Sequence, residues 1–149
     1  MAQVDRVTAT DAGLRPRSPA VFITTFDYDF AVSGSAGGGI DVSKGTVPVG
    51  ARVIGGWYEV LTTFTSAADS ATIALSLVGD DDLVTAIAIN DASNPWDVDL
   101  TKRRPLKGIS ANITVEVIVG ITSAVQTLTA GKLFGAVEWI FPDFVSTGH

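Results

Sequence analysis

The chain contains no cysteine, and its one histidine is His149, the last of 149 residues. The first absence excludes disulfides, thiolate nucleophiles and thiolate metal ligands. The second leaves Ser–His and Cys–His pairs and histidine-built zinc sites without their key member, because nothing holds a terminal residue in place. Charge is scarce as well: 17% of the residues are charged, against roughly 25% in an average soluble domain. Part of the surface is therefore expected to lie in an interface. Ten Lys and Arg face sixteen Asp and Glu, a formal charge of −6, which opposes sequence-independent binding of nucleic acid. The longest stretch without a charge, Val117 to Gly131, holds Ser, Thr, Gln and Gly and is too short and too polar to span a bilayer. Asp5, Arg6 and Asp11 stand where an export leader carries an apolar run, so the expectation is a chain made and used without Sec export.

What is present reads as strands. Residues 1–20 show no periodicity and contain Pro16 and Pro19, each of which biases its predecessor toward extended geometry, so an extended N-terminal arm is expected. In "VFITTFDYDFAV", Phe26, Tyr28 and Phe30 alternate with Asp27 and Asp29, the period of a strand with one wet face. The glycine-rich "SGSAGGG" lacks both the Gly-Lys-Ser/Thr ending and the GxGxxG spacing of phosphate cradles and is read as a turn.

The next stretch, "VIGGWYEVLTTF", puts Ile54, Tyr58, Val60 and Phe64 on one alternating face, expected to be core. Its other face carries Trp57 and Leu61, where a half-exposed strand should be polar, so something is expected to cover that side. "ATIALSLV" is a further strand with Ala71, Ile73, Leu75 and Leu77 in phase. After "GDDD", which lacks the spaced ligands of a calcium loop, Asp82 is expected to cap a short helix over "LVTAIAI", although the β-branched content leaves a strand open. "ANITVEVIVGI" sets Ile113, Val115, Val117, Val119 and Ile121 on one face, and "KLFGAVEWIF" sets Leu133, Val137, Trp139 and Phe141 in phase with Glu138 opposite; the two are expected to pair as a long-looped hairpin. Six to eight strands and at most one short helix make the chain all-β, a single-domain β-sandwich or jelly roll. Its parts are an arm (1–20), the domain (21–142) and a C-terminal tail (143–149).

Chemistry is sparse in this pattern. Candidate paired carboxylates are Asp27 with Asp29, and Glu59 with Glu116 or Glu138 if their strands are neighbours; a glycosidase needs two such groups flanking a sugar bond. Trp57, Tyr58, Trp96 and Trp139 are candidates for stacking on sugars, but strand aromatics more often anchor a core or an interface. Neither reading supplies a catalytic residue, metal site or cofactor site. The basic run "KRRPLK", Lys102 to Lys107, reads as a solvated, proline-bounded loop, with an acidic partner or nucleic acid as the binding alternatives.

The run "VPVGARVIGGWYEVLTTFTSAADSATIALSLVGDDDLVTAIAINDASNPWD", with "LTAGKLFGAVEWI" further on, resembles the capsid decoration, or cement, proteins of tailed bacteriophages over roughly residues 22 to 141. The resemblance implies a non-enzymatic virion protein on the capsid exterior, a homo-oligomer, commonly a trimer, that clamps neighbouring major capsid subunits without nucleic acid, membrane or cofactor. Within that frame Trp57 and Leu61 are the expected oligomer interface, and Arg6, Arg15 and Arg17 of the arm with Lys102, Arg103 and Arg104 the expected capsid contacts. A tail, baseplate or head-fibre component, or a carbohydrate-binding module, would share the same composition.

Overall fold

The computed structural model describes residues 20–78, 82–99 and 102–142, so the arm and the tail fall almost entirely outside it. Among these residues eight strands are divided between two sheets: β1 (Phe22–Asp29), β2 (Ile40–Asp41), β3 (Arg52–Ser66), β4 (Thr72–Ser76), β5 (Val84–Ala88), β6 (Arg104–Pro105), β7 (Gly120–Ala124) and β8 (Leu128–Ile140). One sheet runs β1-β8-β3-β6 and the other β2-β7-β4-β5, with every pairing antiparallel. Two four-stranded sheets in these orders are the jelly-roll arrangement of the β-sandwich. A short helix, α1 (Phe30–Ser33), is a single turn capped by Asp29, whose side chain accepts from Ala31 N at 2.9 Å.

Alternation along each strand builds the core between the sheets. Phe26 and Tyr28 of β1, Tyr58, Val60 and Phe64 of β3, Leu133 and Val137 of β8, and Ile73, Leu75 and Ile121 of the second sheet are all buried. Trp96, in the turns after β5, is fully buried among them. Its Nε1 donates to Ile87 O at 3.0 Å, and its ring lies 5.3 Å from Tyr58 and 5.9 Å from Phe64. Gly135 is required by close approach: a methyl there would stand 2.5 Å from Phe26 Cζ and collide with the carbonyl of Trp57.

Several sequence expectations are corrected. Ile54 is not core but 47% exposed, because the β3–β8 register slips between Val53 and Gly55. That bulge inserts one residue, so Val53 is the buried position before it and Tyr58 and Val60 resume inward after it. "LVTAIAI" is not a helix but supplies β5, paired with β4, as its β-branched residues favour. Asp82 instead accepts from the N–H groups of Leu77 and Val78, at 2.6 and 2.8 Å, in the link between the two strands.

"ANITVEVIVGI" is a regular strand only from Gly120 onward; Val115 is exposed, and the earlier residues bond segment 47–51 through Val47, Gly50 and Ala51. Nor do β7 and β8 form a hairpin. A three-residue link carries the chain from one sheet to the other, with Val125 at φ 73°, since this strand order puts β7 and β8 in opposite sheets. Finally, "KRRPLK" is not a free loop. Arg104 and Pro105 are edge strand β6 against Tyr58 and Trp57, and Leu106 is buried.

Candidate functional site

The β1-β8-β3-β6 sheet has an outer face with no second layer over it among the described residues. Alternation places on it the cross-strand rows Ile23–Glu138–Gly55, Thr25–Ala136–Trp57–Pro105 and Asp27–Phe134–Glu59. Trp57 is half-buried. Its ring meets that of Phe134 at a centroid distance of 5.6 Å, tilted by 58°, and the guanidinium of Arg103 lies over it, 3.9 Å from the ring centroid. Arg103 is held there by Glu59, Nε to Oε2 at 3.2 Å. Leu61 is the extra residue of a second bulge, between Val60 and Thr62, and is exposed. The cover expected over Trp57 is thus partly supplied from within the chain, by a residue of the basic run.

The expected site residues separate into three groups. Trp57 and Arg103 come together on this face, while Leu61 is exposed four residues further along β3. Arg104 is committed elsewhere, its Nη2 donating to Asn94 O at 2.7 Å, while Lys102 is exposed. Arg6, Arg15 and Arg17 lie outside the described residues. Two members of the surface were not picked out in the sequence, Phe134 and Ile23. Phase had already marked the first, since Phe134 shares the parity of Glu138 in "KLFGAVEWIF".

Ion pairs organise the polar half of the same face. Asp27 pairs with Lys44 at 2.9 Å and Asp29 with Lys132 at 3.8 Å, at the rim of an open cleft of about 340 Å³. Glu138 is half-buried and has no ion pair or hydrogen bond among the described residues. It stands in the row of exposed Ile23, beside the bulge that exposes Ile54.

These positions do not assemble an active site. Glu59 and Glu138 are four residues apart in register, roughly 13 Å at the rise of a strand, beyond the ~5–9.5 Å that glycoside hydrolysis requires. Glu116 accepts from Thr46 Oγ1 at 3.0 Å, and both aspartates of β1 are neutralised by lysines. No group of three or more potential metal-binding side chains occurs among the described residues, and none of their helices is long and apolar enough to cross a membrane.

The sugar platform is dismantled by burial. Tyr58 donates to Pro95 O at 3.1 Å and Trp139 Nε1 to Thr24 Oγ1 at 2.9 Å, both in the interior. Burial pushes the phenol of Tyr58 up to about 12 against the opposing pull of Arg104; that of Tyr28 rises to about 12 through burial and, secondarily, the charge of Asp29.

No protein-family model matches this chain, and no curated protein does. Solved structures do. A chain of the cyanophage Pam1 capsid asymmetric unit aligns with a TM-score of 0.61 at 18% identity, over 86% of this chain and 94% of that one. A chain of the acid-stable capsid of Helicobacter pylori bacteriophage KHP30 gives 0.59 at 12% identity, over 84% and 91%. One from the capsid of Ralstonia phage GP4 gives 0.58 at 15%, over 85% and 88%. High coverage on both sides means that the matched chains are of about this length. At such identities the likeness establishes one thing, a jelly-roll fold shared with chains found in phage capsids.

Proposed function

We propose that this chain is a non-enzymatic structural protein of a phage virion, which binds the outside of the head as an oligomer, a trimer in our reading, and stabilises contacts between major capsid subunits. The observation that carries the proposal is the end-to-end fold match to small chains of three phage capsids. Fold alone does not assign function, but the surface agrees. The chain presents an apolar strip of Trp57, Phe134 and Leu61 bordered by charge, the composition of a subunit contact, and a ring of copies needs such a patch to close. Lys102 is exposed, and with Arg15 and Arg17 of the arm it is assigned to the contact with the shell. A glycan-binding role has little support, since Arg103 already occupies the face of the one tryptophan left at the surface.

The test is to mix the purified chain with heads that lack it and pellet them. Saturable co-sedimentation, with heads that better resist heat or chelation, is the expected outcome. Absence of the chain from the pellet at micromolar concentration would overturn the proposal.

A further inference from the structure

Among the described residues β1 is an edge strand, and half of its edge has no partner there. From Phe26 onward the edge is closed by segment 42–44: Asp27 N donates to Val42 O at 3.1 Å and Lys44 N to Thr25 O at 2.9 Å. Because the backbone groups of alternate residues point to the same side, the N–H and C=O of Ile23 and the N–H of Thr25 face this edge too. They have no backbone partner among the described residues. Segment 44–47 does not continue the backbone ladder: Thr46 O accepts from the Thr24 side chain at 3.1 Å, and Val47 bonds Val117 instead.

The side chains along this stretch are apolar and open: Val21 is 54% exposed, Phe22 41% and Ile23 58%. Folded proteins usually blunt such edges with lysine, proline or a bulge, and none of these lies between Val21 and Thr25. Beside the bare edge stands Glu138, the carboxylate of this face that is without a partner.

We infer that this edge receives the N-terminal arm of a neighbouring copy as an added β-strand, with an arm arginine meeting Glu138. The inference rests on the oligomer proposed above. Nineteen residues precede the described chain, and extended they span about 60 Å, enough to cross to a neighbouring subunit.

Val4 to Thr10, "VDRVTAT", is free of proline and rich in β-branched residues, as a strand prefers. Val4, Arg6 and Thr8 share one face of it, so an arginine flanked by β-branched side chains would lie across Ile23 toward Glu138. The chain's own arm is a poorer occupant. It runs directly into β1, and a tight reversal would put Pro16, which has no N–H, into the ladder. Strand addition from one copy to the next is heterologous, the kind of contact that closes a ring.

The test is amide exchange on the purified protein, full-length and lacking residues 1–19, above and below the concentration at which the oligomer dissociates. The amides of Ile23 and Thr25 are expected to exchange at least about tenfold more slowly in the full-length oligomer, and to lose that protection both on deletion of the arm and on dilution. Ile23→Pro removes a donor that bonds nothing among the described residues, and Glu138→Gln removes the charge. Both are expected to leave the unfolding midpoint nearly unchanged while raising the dissociation constant by about tenfold and severalfold respectively. Protection that persists in the diluted monomer would mean the chain's own arm lies there, and overturns the inference; so do equal exchange with and without the arm, and a chain that is monomeric throughout. No heads are needed, so loss of head binding with this pattern intact would count against the proposed function alone.

Discussion

Replacing Trp57 by alanine separates a ring that closes its own surface from one that joins copies. Within one chain the ring has two partners. The guanidinium of Arg103 over it is worth about 0.5–1 kcal/mol at a site this exposed, and the tilted contact with Phe134 about 0.5–1.5 kcal/mol. Trp57→Ala is therefore expected to cost about 1–2.5 kcal/mol of fold stability in urea titrations. If the ring also sits at the centre of a subunit contact, truncation costs about 2 kcal/mol more per contact, roughly a thirtyfold rise in dissociation constant. Sedimentation equilibrium over a concentration series reads that second effect. Leu61→Ala is the control, because an exposed bulge residue contributes within about 0.5 kcal/mol to the fold yet is expected to weaken association. A stability loss for Trp57→Ala with unchanged association of both variants would refute the assignment and leave Arg103 as the whole cover.

Three further expectations concern the fold that holds this surface in place. Gly135→Ala drives a methyl into Phe26 and the Trp57 carbonyl and should destabilise by about 2–3 kcal/mol; a change below about 0.5 kcal/mol in the same titration would contradict the packing described. Trp96→Phe leaves Ile87 O without its Nε1 donor and opens space beside Tyr58 and Phe64, so a loss of about 2–4 kcal/mol is expected from thermal and urea unfolding. Above pH 10 stability should fall. The folded phenols of Tyr28 and Tyr58 titrate near 12, against about 10 in the unfolded chain, so the unfolded state releases protons first and the loss accrues between pH 10 and 12. Tyr28→Phe and Tyr58→Phe should each flatten that slope, and an unchanged slope in the double variant would disprove the cause.

How far the fold was legible depended on whether strands ran without interruption. β1, β4 and, from Lys132 on, β8 were, because their large core residues recur in one alternating phase: Phe26 and Tyr28, Ile73 and Leu75, and Leu133, Val137 and Trp139. β3 was half legible: its tyrosine, valine and phenylalanine phase held from Tyr58 to Phe64, while Ile54 was placed in the core by a periodicity that the bulge after Val53 breaks. A bulge leaves only a weak trace in sequence, here the pair Gly55–Gly56 at φ 144° and 147°.

The helix expected over "LVTAIAI" failed because a capping aspartate and a short apolar run are shared by helices and by strands that follow tight turns. The hairpin of β7 with β8 failed for a topological reason: adjacency in sequence favours pairing, but jelly-roll wrapping sends these neighbours to opposite sheets. At the candidate surface, Trp57 and Leu61 were visible as apolar residues out of phase with the core. The placement of Arg103 over Trp57 was not, because it depends on β6 pairing with β3 across more than forty residues of chain.

The central claim, that this chain sits on the exterior of a phage head, is tested most directly by imaging heads that lack the chain before and after its addition. The account predicts new density on the outer surface, shaped as copies of this jelly roll joined through the Trp57 face and seated between major capsid subunits. Density at the tail or on the inner wall, or heads unchanged by saturating amounts of the chain, would contradict it.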